Sequence, residues 1–246
     1  VDGSVTSRRL GDGSGSTLIE LVGDPAAPLR PRGSTGLFHV AFLVPSRREL
    51  ARAVRRVVDA GWSFSGASDH LVSEALYLDD PEGNGIEIYR DRPREEWRYE
   101  DGQLQMATLP LDLDGVLAEL DEERPVAEGA RIGHVHLQVS EIAPIETFYE
   151  GRLGLDVTTR RYPGALFLSA GGYHHHVGTN TWASAGAPPP PVGSRGLRRY
   201  TIVVPDAAEV ARVHERLGGV GEQVDGGLEI VDPSGNRALV TTEGSR

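Results

Sequence analysis

Apolar positions along this chain change their period in a recurring order. A strand-like run comes first, then helical spacing, then short strand-like runs ending in turns. The run from Gly36 to Ser46 (Gly-Leu-Phe-His-Val-Ala-Phe-Leu-Val-Pro-Ser) recurs from Gly196 to Asp206 (Gly-Leu-Arg-Arg-Tyr-Thr-Ile-Val-Val-Pro-Asp). Behind each run stands a helix-start signal: Ser46 with Glu49, and Asp206 with Glu209, each spaced as a capping box. Leu50, Val54, Val57 and Val58 then keep helical spacing, as do Val210, Val213 and Leu217. Each unit closes with a turn and a last strand. Asp80-Pro81-Glu82-Gly83-Asn84 precedes Gly85–Tyr89, and Asp232-Pro233-Ser234-Gly235-Asn236 precedes Arg237–Val240.

A third unit opens on the strand 131–140, which contains His134 and His136. It continues through a helix containing Ile145, Phe148 and Tyr149, then strands around Ala165–Ser169 and Tyr173–Asn180. The earliest residues, Leu10 to Leu21, match the end of this third unit. The pattern therefore predicts an α+β chain of four βαβββ modules paired into two half-open barrels. Residues 1–95 are expected to form an N-terminal half (modules one and two), 96–130 a linker, and 131–246 a C-terminal half (modules three and four). Pro188 to Pro191 makes a hinge between modules three and four. The halves are offset by about 160 residues, the separation of His39 from Arg199. On that offset, the counterpart of His134 in module one falls upstream of residue 1. Module one is thus expected to lack its first strand and helix.

Composition narrows the chemistry. The 246 residues contain no cysteine, which excludes disulfides, thiolate metal sites and thiol nucleophiles. Any metal must rest on imidazole nitrogen and carboxylate oxygen. A net charge of −11 argues against a nucleic-acid surface. No apolar run approaches ~20 residues, so no membrane span is expected, and the chain reads as cytoplasmic.

The module order, the Asp-Pro-x-Gly-Asn turns and the Glu that follows the first of them resemble the vicinal oxygen chelate superfamily, which includes glyoxalase I, bleomycin-resistance proteins and extradiol dioxygenases. Two stretches look most like its catechol 2,3-dioxygenase-type members: Ser68-Asp69-His70-Leu71-Val72-Ser73-Glu74-Ala75-Leu76-Tyr77 through Glu87, and Gly172 to Trp182 with its three consecutive histidines. The resemblance implies an Fe(II)-dependent enzyme, with Mn(II) as the other metal, that cleaves a small catechol-like aromatic using dioxygen. It also admits a homodimer. Ligand sequestration and glyoxalase-like chemistry are the alternatives on the same fold.

The resemblance makes His39 a first-strand metal ligand and Glu87 the last-strand carboxylate, with a second imidazole expected upstream of residue 1. Two imidazoles and a carboxylate would occupy one face of an octahedral metal, leaving the other face for substrates. Glu87 lies between Ile86 and Ile88, where a carboxylate is costly unless it is paired or metal-bound. Tyr77 and His70 take the catalytic positions. The Tyr would hydrogen-bond the substrate hydroxyl, and the His would orient substrate or shuttle a proton. The acid–base His that the family usually places before the second ligand has no counterpart here; that position falls near Asp24. In the second half, Arg199 and Leu239 stand at ligand positions and cannot bind iron. His134, His136, His174 and His176 are expected to form a hydrogen-bonded cluster in a non-catalytic half, with a second metal site as the other option.

Overall fold

The computed structural model describes residues 6–121 and 129–243. The chain divides into two compact units, Val1–Pro28 with His39–His134, and Leu29–Phe38 with Val135–Arg246. It opens on a hairpin of β1 (Thr6–Gly11) and β2 (Thr17–Gly23), paired antiparallel, with β1 exposed throughout.

Module two follows as β3 (Gly36–Leu43), α1 (Arg47–Asp59), β4 (Gly66–Asp69), β5 (Ser73–Asp79) and β6 (Gly85–Asp91). Buried and open positions alternate along β3, as expected of a strand with one face on a core. Its return strand β6 runs parallel to it, and β5 and β4 then add antiparallel. Ser46 caps α1 by accepting the Glu49 N–H at 3.2 Å. The Glu49 carboxylate bonds Arg52 instead of reaching back to the cap, so only half of the expected capping box forms. Val58, on the predicted apolar stripe, is exposed. Leu50 lies at the centre of the stripe, fully buried with Val44, Val54, Leu76 and Val116. Replacing Leu50 with alanine is expected to destabilise the fold by about 2–5 kcal/mol through lost burial and the cavity left behind. A urea titration should read this as a lower midpoint at unchanged slope.

The stretch expected as a linker is instead packed into the first unit as far as it is described. Short strands β7 (Tyr99–Glu100) and β8 (Gln103–Leu104) form a ribbon, and β9 (Leu109–Pro110) pairs with β4. Helix α2 (Leu113–Leu117) then buries Val116 in the Leu50 core. The physical reason is apolar content: Leu111, Val116 and Leu120 cover a flank that α1 alone would leave wet.

Module three is β10 (Arg131–Gln138), α3 (Ile142–Glu146) with a π-helical continuation Thr147–Leu153, β11 (Asp156–Thr159), β12 (Ala165–Ser169) and β13 (Val177–Asn180). Module four is β14 (Tyr200–Val203), α4 (Ala207–Arg216), β15 (Glu222–Val224), β16 (Gly227–Val231) and β17 (Arg237–Thr241). Both repeat the order of module two, first strand parallel to last and the two middle strands antiparallel. In the second unit they share one core, in which the Tyr149 and Tyr200 hydroxyls meet at 2.6 Å.

The strand expected from Tyr173 begins only at Val177. Gly171 and Gly172 both take left-handed backbone (φ 64° and 66°), which turns the chain and delays the strand. His174 and His175 consequently do not alternate across a sheet; their Nδ1 atoms lie 2.8 Å apart.

Candidate metal centre

Sheet register brings the site together. On β3 and β6, Ala41 stands opposite Glu87, and His39 lies two residues before Ala41, on the same face. On the other side of β6, Tyr77 of β5 is the direct cross-strand neighbour of Glu87. A two-residue period in three adjacent strands thus gathers His39, Glu87 and Tyr77 without any special loop.

The third donor is His134 on β10. Its Nε2 lies 3.1 Å from Glu87 Oε2, His39 Nε2 lies 2.9 Å from the same oxygen, and the two Nε2 atoms are 3.3 Å apart. All three side chains are buried. Among the described residues they are the group of three histidines and carboxylates within common reach of one ion. Within the described residues, the imidazole that meets His39 is that of His134, which the repeat assigns to the other half. The signal was its position, since His134 opens module three as His39 opens module two. Gly133 helps to seat it, because a Cβ there would fall 1.8 Å from the Tyr89 hydroxyl. The Tyr89 ring packs against His134, with centroids 4.9 Å apart.

This donor set fits a divalent cation. Three ligand atoms on one face of an octahedron, at bonds near 2.1 Å and right angles, stand about 3.0 Å from one another. The three edges seen here bracket that length. Burial pushes the Glu87 carboxyl up, but the charges of His134 and then His39 outweigh it and hold the group well below the usual carboxylate range. Glu87 thus supplies the negative charge of this buried donor set.

Tyr77 borders the triangle, its ring centroid 5.7 Å from that of His39. Its hydroxyl lies 2.6 Å from His70 Nε2, while His70 Nδ1 lies 2.6 Å from the Ala107 carbonyl oxygen. A carbonyl only accepts, so Nδ1 carries a proton. In the neutral imidazole Nε2 is then the acceptor, and Tyr77 donates to it. The resemblance gave Tyr77 and His70 separate catalytic positions; their mutual bond and the partner at Ala107, 37 residues from His70, were not visible in the sequence.

The remaining histidines lie outside the triangle. His136 Nε2 is 3.0 Å from the Asn180 amide nitrogen, and His176 Nδ1 accepts the Ala170 N–H. Arg199 pairs with Glu229 at 3.3 Å, and Leu239 is buried. No helix among the described residues is long and apolar enough to cross a membrane.

The sequence model of the Glyoxalase/Bleomycin resistance protein/Dioxygenase superfamily matches residues 4–88 and 131–239, which include His39, Tyr77, Glu87 and His134. The chain belongs to this superfamily. It is 44% identical over 225 residues to a catechol-2,3-dioxygenase of Bacillus subtilis (strain 168), covering 88% of this chain and 78% of that one. Within the superfamily it is accordingly an enzyme of the dioxygenase type. The fold is shared with a crystal structure described as a putative dioxygenase from Bacillus subtilis subsp. subtilis str. 168, at TM-score 0.64 and 13% identity, over 98% of this chain and 74% of that one. It is also shared with glyoxalase I from Zea mays, at TM-score 0.52 and 14% identity, over 98% and 79%.

Proposed function

We propose that this chain is an Fe(II)-dependent extradiol dioxygenase that opens the ring of a catechol-like aromatic beside its two hydroxyls. The observation that carries the proposal is the buried triangle of His39, Glu87 and His134 with the Tyr77–His70 pair at its side. Those three residues would hold the metal, and Mn(II) suits the same donors. When bound, the metal supplies Lewis acidity and brings diol and dioxygen together. Both oxygen atoms enter the product, a ring-opened semialdehyde acid, so no outside reductant is required.

The chain's own residues manage protons. With its hydrogen donated to His70, the Tyr77 hydroxyl would accept from a substrate hydroxyl. A proton taken there moves on to His70 Nε2, and the Ala107 carbonyl stabilises the imidazolium that results. Buried walls around Glu87 keep water from competing for the charge.

Adding catechol to the iron-loaded protein is expected to consume about one dioxygen per catechol and yield a yellow ring-fission product. Oxygen electrode and absorbance read the two together. A panel of catechols that bind without oxygen uptake would overturn the proposal in favour of a sequestering protein.

A further inference from the structure

The His70–Tyr77 pair depends on a turn that the proposed reaction leaves unexplained. Between β4 and β5, Leu71 has φ 69°, a left-handed conformation that a leucine rarely adopts. Asp69 Oδ1 accepts the Leu71 N–H at 2.9 Å, and the His70 N–H donates to the Ser73 carbonyl at 2.8 Å. Asp69 is itself clamped by Arg92, whose Nη2 lies 2.6 Å from Oδ2 and whose Nε lies 3.3 Å from Oδ1. The Arg92 N–H also donates to the Val72 carbonyl at 2.8 Å, so one residue grips the turn by side chain and backbone. Arg92 is in turn oriented by Glu74 at 3.5 Å and Glu96 at 3.4 Å. It stands just past the end of β6, the strand that carries Glu87.

We infer that Asp69 and Arg92 are positioning residues: their ion pair holds Leu71 left-handed, and that turn seats His70 between the Ala107 carbonyl and the Tyr77 hydroxyl. Neither residue belongs to the buried donor triangle. Their effect passes through the backbone of one turn, alongside the direct interaction of the Asp69 charge with His70. A bidentate clamp suits this role because it fixes the plane of the Asp69 carboxylate and thereby the direction of its bond to Leu71. A glycine at 71 would adopt the same backbone without the clamp.

The inference rests on the proposed ring cleavage for its kinetic readout, so the experiment has two arms. One follows the His70 ring nitrogens by 15N NMR in metal-free protein, which needs no turnover. The unsubstituted chain should show a single tautomer protonated at Nδ1. Asp69→Ala should lose that signature, Asp69→Asn, which keeps the acceptor for Leu71, should lose less of it, and Asp69→Ala with Leu71→Gly should regain it. The other arm measures catechol turnover in the iron-loaded proteins. Asp69→Ala should lower kcat about 10- to 100-fold with metal content unchanged, and the added Leu71→Gly should restore most of it. A purely structural ion pair would lower stability without moving the tautomer, and adding glycine would not restore kcat. Either result overturns the inference. If the unsubstituted protein cleaves no catechol, the proposed function fails while the NMR arm still decides this point. Should Asp69→Ala not fold, Asp69→Asn and Arg92→Lys carry the same comparison.

Discussion

Glu87→Ala is expected to strip the chain of its metal and to lower ring cleavage by about 10³-fold or more, since metal-ion catalysis is worth several kcal/mol of barrier. Glu87 Oε2 is the shared corner of the triangle, 2.9 Å from one imidazole and 3.1 Å from the other. It is also the negative charge of the set, and without it two neutral imidazoles would have to bind a divalent cation alone. His134→Ala should behave alike, because it removes one edge of the same face. Metal analysis after dialysis checks both: bound metal near one per chain in the parent should fall close to zero. Removing a buried acceptor also costs about 1–3 kcal/mol of stability, so Glu87→Gln, which keeps the shape, is the companion variant. A His134→Ala protein that retains full metal would show that another residue is the third ligand.

Tyr77→Phe is expected to keep the metal and the fold yet lose about 10²- to 10⁴-fold in kcat, the usual range for a positioned acid–base group. The ring stays to pack beside Ala75 and Tyr89, so only the hydroxyl and its 2.6 Å bond to His70 are lost. KM should change far less than kcat, because the proton transfer belongs to the transition state. Stopped-flow absorbance of the ring-opened product, with metal content measured in parallel, separates the two effects. An unchanged kcat would remove Tyr77 from the reaction.

Much of the fold is written locally. The turns Asp80–Asn84 and Asp232–Asn236 were legible because one aspartate does the same work in each. Asp80 Oδ1 accepts the N–H groups of Glu82 and Asn84, and Asp232 Oδ1 those of Ser234 and Asn236. The caps Ser46 and Asp206 were legible for the same reason, each bonding a backbone N–H three residues on. His39 and Glu87 were named as a pair only through the superfamily resemblance, and the parallel register of β3 and β6 is what puts them on one face. The segment before β13 was misread, since alternation in Tyr173–His176 carries no mark of the two left-handed glycines ahead of it.

By itself, the sequence determined the repeated strand–helix–strand order, the turns and caps that punctuate it, a metal chemistry restricted to imidazole and carboxylate, and the strand positions of His39, Glu87 and Tyr77. These follow from interactions within a few residues, or from a repeat that compares the chain with itself. Only the tertiary structure decided which imidazole completes the triangle, what fixes the tautomer of His70, and that residues 96–121 are packed into the first unit. His134 meets His39 across 95 residues of chain, and Ala107 meets His70 across 37. Contacts at such separations are set by which apolar faces bury one another, and neither periodicity nor spacing records that choice.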